Sequence, residues 1–116
     1  MESWRVNSFV VAVIKTPTRA LLINVRDVDW IESAANYALL HVGEKTHIVR
    51  ETMSALESKL NPREFQRISR SSIVNLGRVK EFHAIGKGQY WVLLTNGKHL
   101  SMTRGLRDLQ RVIELC

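Results

Sequence analysis

The chain has 116 residues, a net charge of +6 and a single cysteine, Cys116, at its end. This length allows one domain with a modest core and leaves little room for a deep enzymatic cleft. One cysteine excludes a disulfide framework and a cysteine-based zinc site, and it suits a reducing cytoplasm. No apolar run approaches the ~20 residues that span a bilayer, and the N-terminus lacks the pattern of a secretory signal, so we predict no membrane association.

The positive charge is concentrated in one contiguous third of the chain. Residues 65–107 contain eight basic residues and one acidic residue, Glu81, whereas the remainder contains nine basic and ten acidic residues. A surplus that served solubility alone would be spread more evenly. The distribution therefore favours a face that binds a polyanion over a merely solvated basic surface.

The N-terminal half predicts two β-hairpins around a central strand. Residues 1–7 are treated as a leader and 8–116 as the domain. Aliphatic and β-branched runs at 8–15 and 19–25 flank a turn with Pro17 and predict the first hairpin.

The next runs predict the central strand and the second hairpin. In the segment RDVDWIES we expect the side chains of Trp30 and Ile31 to point inward. The acidic side chains expected to point outward are Asp27, Asp29 and Glu32. Two further runs, 36–42 and 46–50, predict a hairpin that turns at Gly43, and we expect its first strand to be covered on both faces.

The hydrophobic period changes at 52–60, which predicts a short helix. Its apolar stripe consists of Met53, Leu56 and Leu60. Thr52 or Ser54 can cap the start, and Ser54 followed by Glu57 matches a capping box. The pair Asn61-Pro62 predicts the end of the helix.

The C-terminal half predicts three strands and a final helix. Runs at 78–85 and 89–95 flank a glycine-containing turn, and Asn96-Gly97 is a strong hairpin signal before a strand at 98–102. The tail from Thr103 has a helical stripe. The chain is therefore expected to be mainly antiparallel β, with one short helix between the halves and a C-terminal helix.

The residues do not favour catalysis or metal binding. The four histidines lack helical ligand spacing and cysteine partners. No nucleophile elbow is present, and Gly86-Lys87-Gly88 leads into a strand instead of a helix, so neither nucleotide-binding fingerprint is met. We predict no enzymatic activity, no metal and no cofactor.

Nucleic-acid binding is the remaining use of the basic segment. The stretch RISRSSIVN (67–75) can present Arg70 and its serines from a connection, Lys87 stands at a turn tip, and Arg104 lies where the last strand gives way to the helix. Arginine offers a planar fork for guanine edges or phosphates, and serine hydroxyls donate to phosphate oxygens. The alternative to nucleic-acid binding is a structural role, in which Arg67 and Arg70 form ion pairs with Glu64 or Glu81.

Four motifs in order resemble the LytTR DNA-binding domain of bacterial transcription regulators. They are DVDWIESAANY (27–37), MSALESKL (53–60), FQRISRSSIVN (65–75) and GKHLSMTR (97–104). The resemblance covers about residues 20–116. It implies an elongated, mainly antiparallel β domain that reads DNA from loops, without a recognition helix.

The resemblance and the charge pattern together give a set of candidate DNA-contacting residues. The set is Asn36, Tyr37, Ser69, Arg70, Ser71, Lys87, Arg104 and Arg107. Ile68, Ile73 and Val74 are expected to anchor the loop around Arg70. Ser69 stands where the family commonly has histidine, and Ser72 where an aromatic residue is common.

The function implied is sequence-specific binding of double-stranded DNA at promoter or operator sites. The resemblance further implies two copies per site, a homodimer on DNA, and a receiver domain or sensor partner outside this chain. Two other classes stay open: an RNA-binding β module, and a protein-interaction domain with a basic docking face. An RNA-binding module usually exposes aromatic rings on a sheet, whereas Trp30 and Trp91 lie within apolar runs and are expected to be buried.

Overall fold

A computed structural model of the chain describes residues 10–15, 17–18, 20–86, 89–104 and 107. The strands found there are β1 (Val10–Lys15), β2 (Ala20–Asn24), β3 (Trp30–Ala34), β4 (Tyr37–Val42), β5 (Lys45–Val49), β6 (Phe65–Ser69), β7 (Ser72–Asn75), β8 (Val79–Gly86), β9 (Gln89–Leu94) and β10 (His99–Met102). The helix α1 spans Met53–Lys59, and single 3-10 turns occupy Val25–Asp27 and Leu76–Arg78. The predicted leader and the predicted C-terminal helix, apart from Arg107, lie outside the described residues.

The described strands form three antiparallel sheets. The central sheet has five strands in the order β5-β4-β3-β7-β6, the C-terminal sheet has the order β10-β9-β8, and β1 pairs with β2. The domain is elongated, with principal extents of 50 × 27 × 23 Å. The prediction of an elongated, mainly antiparallel β fold with one helix between its halves is confirmed.

Strands β3 and β7 of the central sheet contribute side chains to two apolar cores, because neighbouring residues of a strand point to opposite faces of the sheet. Trp30 and Val74 belong to one apolar cluster, whereas Ile31 and Ile73 belong to the other. The helix-side core consists of Ile23, Val25, Val28, Ile31, Ala38, Leu40, Val49, Met53, Leu56, Leu60, Phe65 and Ile73. The C-terminal-sheet core consists of Trp30, Ile68, Val74, Val92, Leu94, Leu100 and Met102.

Helix α1 packs its predicted apolar stripe against the central sheet. Met53, Leu56 and Leu60 are all buried. The N-cap is Thr52, whose hydroxyl oxygen accepts a hydrogen bond from the Ala55 nitrogen at 3.0 Å. The capping box at Ser54 does not form, because Ser54 already lies within the helix. A helix of two turns depends on such packing to persist.

Asp29 corrects the expectation that the acidic residues of its segment point outward. It is buried, and its Oδ2 accepts a hydrogen bond from the Gly43 nitrogen at 3.0 Å. Its Oδ1 lies 3.3 Å from Nε of Arg78. These two partners compensate for the loss of hydration that a buried carboxylate suffers.

Strand β4 is covered on one face only, which corrects the prediction that both of its faces are covered. Ala38 and Leu40 are buried in the helix-side core, but Leu39 and His41 are half-buried and Tyr37 is 43% exposed. The C-terminal sheet packs over Trp30 of β3 and Val74 of β7. The side chains of β4 on that same face of the central sheet are less covered.

The outer face of the C-terminal sheet carries a small aromatic cluster. Trp30 is buried as expected, whereas Trp91 is half-buried, which corrects that prediction. The His83 ring stacks on Trp91 at 4.1 Å, and His99 meets the indole edge-on at 4.6 Å. The hydrogen bond between His83 Nε2 and Glu81 Oε1 lowers the pKa of the Glu81 carboxyl.

Candidate nucleic-acid interface

Two hairpin tips lie at the same end of the central sheet. Strand β3 pairs with β4 up to the pair Ala34 and Tyr37, and with β7 up to the pair Glu32 and Ser72. The Ser33 nitrogen then donates to the Ser71 carbonyl at 3.0 Å. The turn at 35–36 and the turn at 70–71 are therefore neighbours, and the predicted residues of these two loops are brought together.

The first tip presents Asn36 from a strained turn. Ala35 has a φ of 57°, a left-handed conformation that a non-glycine residue adopts at a cost of about 1–2 kcal/mol. Asn36 is exposed, and Tyr37 opens strand β4 with its ring partly in solvent. The strain indicates that the surrounding hairpin holds this tip in one shape.

The second tip, Arg70-Ser71, closes the β6–β7 hairpin. The stretch RISRSSIVN is thus a hairpin in which only two residues form the connection. Ser69 Oγ accepts a hydrogen bond from the Ser71 nitrogen at 3.2 Å. The Arg70 side chain is exposed and has no hydrogen-bond or ion-pair partner among the described residues. Its guanidinium can therefore meet a ligand without first breaking a contact.

The anchoring of this hairpin follows the prediction. Ile68, Ile73 and Val74 are at most 1% exposed. They divide between the two cores, so each face of the hairpin is fixed. Ser72 is also buried and offers no surface to a ligand.

A β-bulge at Ile68 brings the C-terminal segment to the same tip. Arg67 pairs with Ile73 and Ser69 with Ser72, so Ile68 is an extra residue in its strand. Its carbonyl accepts hydrogen bonds from the nitrogens of Thr103 at 2.8 Å and Arg104 at 3.0 Å. Bulges re-aim neighbouring side chains, and this one places Arg104 beside the 70–71 turn.

Glu57 of α1 connects the arginines of the interface. Its Oε1 lies 3.2 Å from Nη1 of Arg67 and 3.1 Å from Nη2 of Arg104. The other nitrogens of Arg67 donate to the carbonyls of Ser69 at 3.1 Å and Arg70 at 2.7 Å. The alternative that Arg67 pairs with Glu64 or Glu81 is therefore wrong, because its acidic partner is Glu57.

Arg50 is a cation of this surface that the sequence reasoning missed. Val49 pairs with Ala38, so Arg50 follows beside Tyr37 at the edge that carries the first tip. Its side chain is exposed and makes no ion pair within the described part of the chain. The sequence contains a signal for this position: the predicted turn at Gly43 pairs Val42 with Lys45, and an unbroken antiparallel register from there places Arg50 opposite Tyr37.

Two predicted residues, Lys87 and Arg107, belong to neither hairpin tip. Lys87 lies outside the described residues, whereas Arg107 lies within the described ranges and is exposed. In these ranges no group of three or more histidine, cysteine, aspartate or glutamate side chains could hold a metal ion. The helix found there is too short to cross a membrane.

The fold and this surface define a small antiparallel β domain in which a hairpin tip with Asn36 and a hairpin tip with Arg70 and Ser71 lie side by side at one end. The model of the LytTr DNA-binding domain family matches residues 18–113. The chain belongs to this family, and the resemblance drawn from the four motifs is confirmed.

Individual relatives agree with this assignment. The chain is 32% identical over 77 residues to the transcriptional regulatory protein LytR of Staphylococcus aureus, which covers 66% of this chain and 31% of that protein. It is 21% identical over 96 residues to the sensory transduction protein LytT of Bacillus anthracis, covering 82% and 39%. A solved LytTr DNA-binding domain from Bacillus cereus has the same fold, with a TM-score of 0.77 at 18% identity over 92% of this chain and 98% of that one.

Proposed function

We propose that this domain binds specific double-stranded DNA sequences through the loops at one end of its central sheet, and does so as part of a bacterial transcription regulator. The observation that carries the proposal is the convergence of the 35–36 tip, the 70–71 tip and Arg104. Family membership supports DNA as the polyanion. Arg50 and Arg70 make no ion pair with any residue that the structure describes, so their positive charge is available to a ligand.

The loops take different parts in this proposal. Arg70 and Arg104 read base edges or clamp phosphates, since a guanidinium can donate two parallel hydrogen bonds. Ser69, Ser71 and Asn36 donate to phosphates or bases from short side chains. Further contacts with the DNA sugar-phosphate backbone come from Tyr37, Arg50, Lys87 and Arg107.

The whole regulator is proposed to be larger than this chain. The chain spans about a third of the length of the curated relatives that it matches. We propose a receiver domain or a sensor partner outside it, two domains on each operator, a homodimer on DNA, and a cytoplasmic location. Regulation of transcription follows if the signal received outside this domain changes its occupancy of the operator.

The test is selection of bound duplexes from a random library with the purified domain. We expect one enriched motif, and competition by single-stranded RNA should not displace the selected duplex. An RNA-binding module would show the reverse order of preference. The structure gives one argument against RNA stacking at Trp91, because the His83 ring already covers a face of that indole at 4.1 Å. A docking domain for an acidic protein would enrich no motif.

Affinity for the selected duplex is expected to fall steeply with salt. If about four of the basic side chains meet phosphates, a plot of log K against log[salt] should have a slope of about −4, from ~0.9 per contact. Fluorescence anisotropy of a labelled duplex across a salt series measures this slope. A slope near zero would contradict a binding face built on charge.

Position 69 is expected to set base preference, because it lies beside the 70–71 tip and departs from the family's histidine. Ser69→Ala should weaken binding less than Arg70→Ala, since a neutral hydrogen bond contributes about 1 kcal/mol and a charged one about 1.5–3. Ser69→His should change the preferred base, because imidazole can donate or accept at a base edge. Selected motifs of the two proteins are compared. Identical motifs would mean that position 69 does not face the bases.

A further inference from the structure

We propose that Glu57 is a specificity-determining residue: its carboxylate orients Arg104 toward the bases and reduces the domain's general attraction to DNA backbone. This inference rests on the proposed function and deepens it. The sequence predicts Glu57 as part of a capping box with Ser54, a role that it does not have in the structure. It lies on helix α1, outside the hairpin tips, and no DNA-contacting role was expected for it.

The two arginines that Glu57 contacts differ in how much of their hydrogen-bonding capacity is used. Arg67 is 12% exposed, and its Nε, Nη1 and Nη2 all have acceptors. Arg67 therefore fixes the tip through the Ser69 and Arg70 carbonyls and has little left for a ligand. Arg104 is 46% exposed and contacts Glu57 through Nη2 alone, at 3.1 and 3.3 Å from the two carboxylate oxygens.

This arrangement fixes the position of Arg104 and leaves part of its guanidinium available to bind DNA. Its Nε and Nη1 have no acceptor among the described residues. The backbone of Arg104 is fixed at Ile68, and the carboxylate fixes the far end of its side chain. A side chain held at both ends loses less conformational freedom on binding, and this favours a contact with defined geometry.

The negative charge of Glu57 also acts on DNA directly. A carboxylate within the interface repels every phosphate, and that repulsion is the same for all sequences. Because this repulsion weakens specific and non-specific complexes by the same factor, it lowers the general affinity for DNA and leaves the ratio between them unchanged. Glu57 thus raises the ratio of specific to non-specific affinity by orienting Arg104, and its charge lowers the affinity for every duplex.

The experiment compares Glu57→Ala with Glu44→Ala. Both remove one negative charge, alanine keeps the helix because it has the highest helix propensity, and Glu44 lies in the turn at the opposite end of the β4–β5 hairpin from Asn36. For each variant the dissociation constants of the selected duplex and of an unrelated duplex are measured. We expect Glu57→Ala to tighten the unrelated duplex by about two- to fivefold and to lower the specificity ratio by about tenfold. Glu44→Ala should change the ratio by less than about twofold.

A second readout separates orientation of Arg104 from a merely structural effect through Arg67. Duplex selection is repeated with Glu57→Ala, Arg104→Ala and Arg70→Ala, after thermal melts establish that each is folded. Glu57→Ala should relax the same base position as Arg104→Ala and leave the position relaxed by Arg70→Ala intact. An unchanged specificity ratio, or relaxation at the Arg70 position, overturns the inference while DNA binding stands. Absence of any selected motif for the unaltered domain overturns the proposed function itself, and this inference with it.

Discussion

Replacing Asn75 with alanine is expected to lower the free energy of unfolding by about 2–3 kcal/mol. Asn75 is buried, and its Nδ2 donates to the Val28 carbonyl at 2.8 Å and to the Arg26 carbonyl at 3.3 Å. Its Oδ1 accepts from the Gly77 nitrogen at 2.9 Å. The substitution leaves the Val28 carbonyl, in a fully buried residue, without this donor.

Asn96→Ala is the matched control for Asn75→Ala. Asn96 Oδ1 accepts from the Lys98 nitrogen at 2.9 Å, a contact similar to that of Asn75 with Gly77, but in an exposed turn. Water replaces the lost acceptor there, so the expected cost is about 0.5 kcal/mol. Denaturant unfolding of both variants measures the difference. Equal costs would show that burial of the Asn75 amide does not stabilise the junction between β7 and the 25–28 segment.

Replacing Arg70 with alanine is expected to weaken binding to the selected duplex by about 10- to 100-fold, as loss of a bidentate base contact costs about 1–3 kcal/mol. Stability should change by less than about 0.5 kcal/mol, because the Arg70 side chain is exposed and makes no hydrogen bond or ion pair with the described residues. Arg70→Lys keeps the charge and removes the planar fork. Arg70→Lys should therefore bind with the salt dependence of the unaltered domain, which Arg70→Ala loses in part, but without its base preference.

Arg63→Ala provides the control for charge in the Arg70 experiment. Arg63 is exposed and precedes β6, at the end of the central sheet opposite to the 70–71 tip. The two substitutions remove the same charge from opposite ends, so Arg63→Ala should weaken binding by less than about threefold. Comparable losses would mean that net charge, and not the position of Arg70, determines affinity.

Local patterns were sufficient to predict most elements of the fold. The stripe of Met53, Leu56 and Leu60 depends on helical period, and the Asn96-Gly97 turn depends on backbone preferences of two residues, so neither needs knowledge of distant contacts. The charge pattern and exposure single out Arg70 as a candidate, whereas Asn36 is a candidate only through the resemblance to the family.

The missed features depend on residues that are distant in sequence. Asp29 is buried because Gly43 and Arg78 meet it, and neither partner is implied by the segment around it. The contact of Glu57 with Arg104 joins residues that are 47 positions apart. Trp91 lies in an apolar run, but its strand belongs to a sheet with an outer face that no described element covers, which composition does not reveal.

In the proposed complex with DNA, the bulge at Ile68 limits the spacing between the bases that Arg70 and Arg104 contact. Ile68 precedes Arg70 by two residues, and its carbonyl holds the main-chain nitrogen of Arg104. The two arginines therefore extend from one backbone junction, and their separation does not depend on how the two sheets slide against each other. In the proposed complex this junction therefore keeps the distance between the backbone positions of Arg70 and Arg104 constant. A site with one base pair inserted between the two positions that the arginines read is expected to engage one arginine at a time.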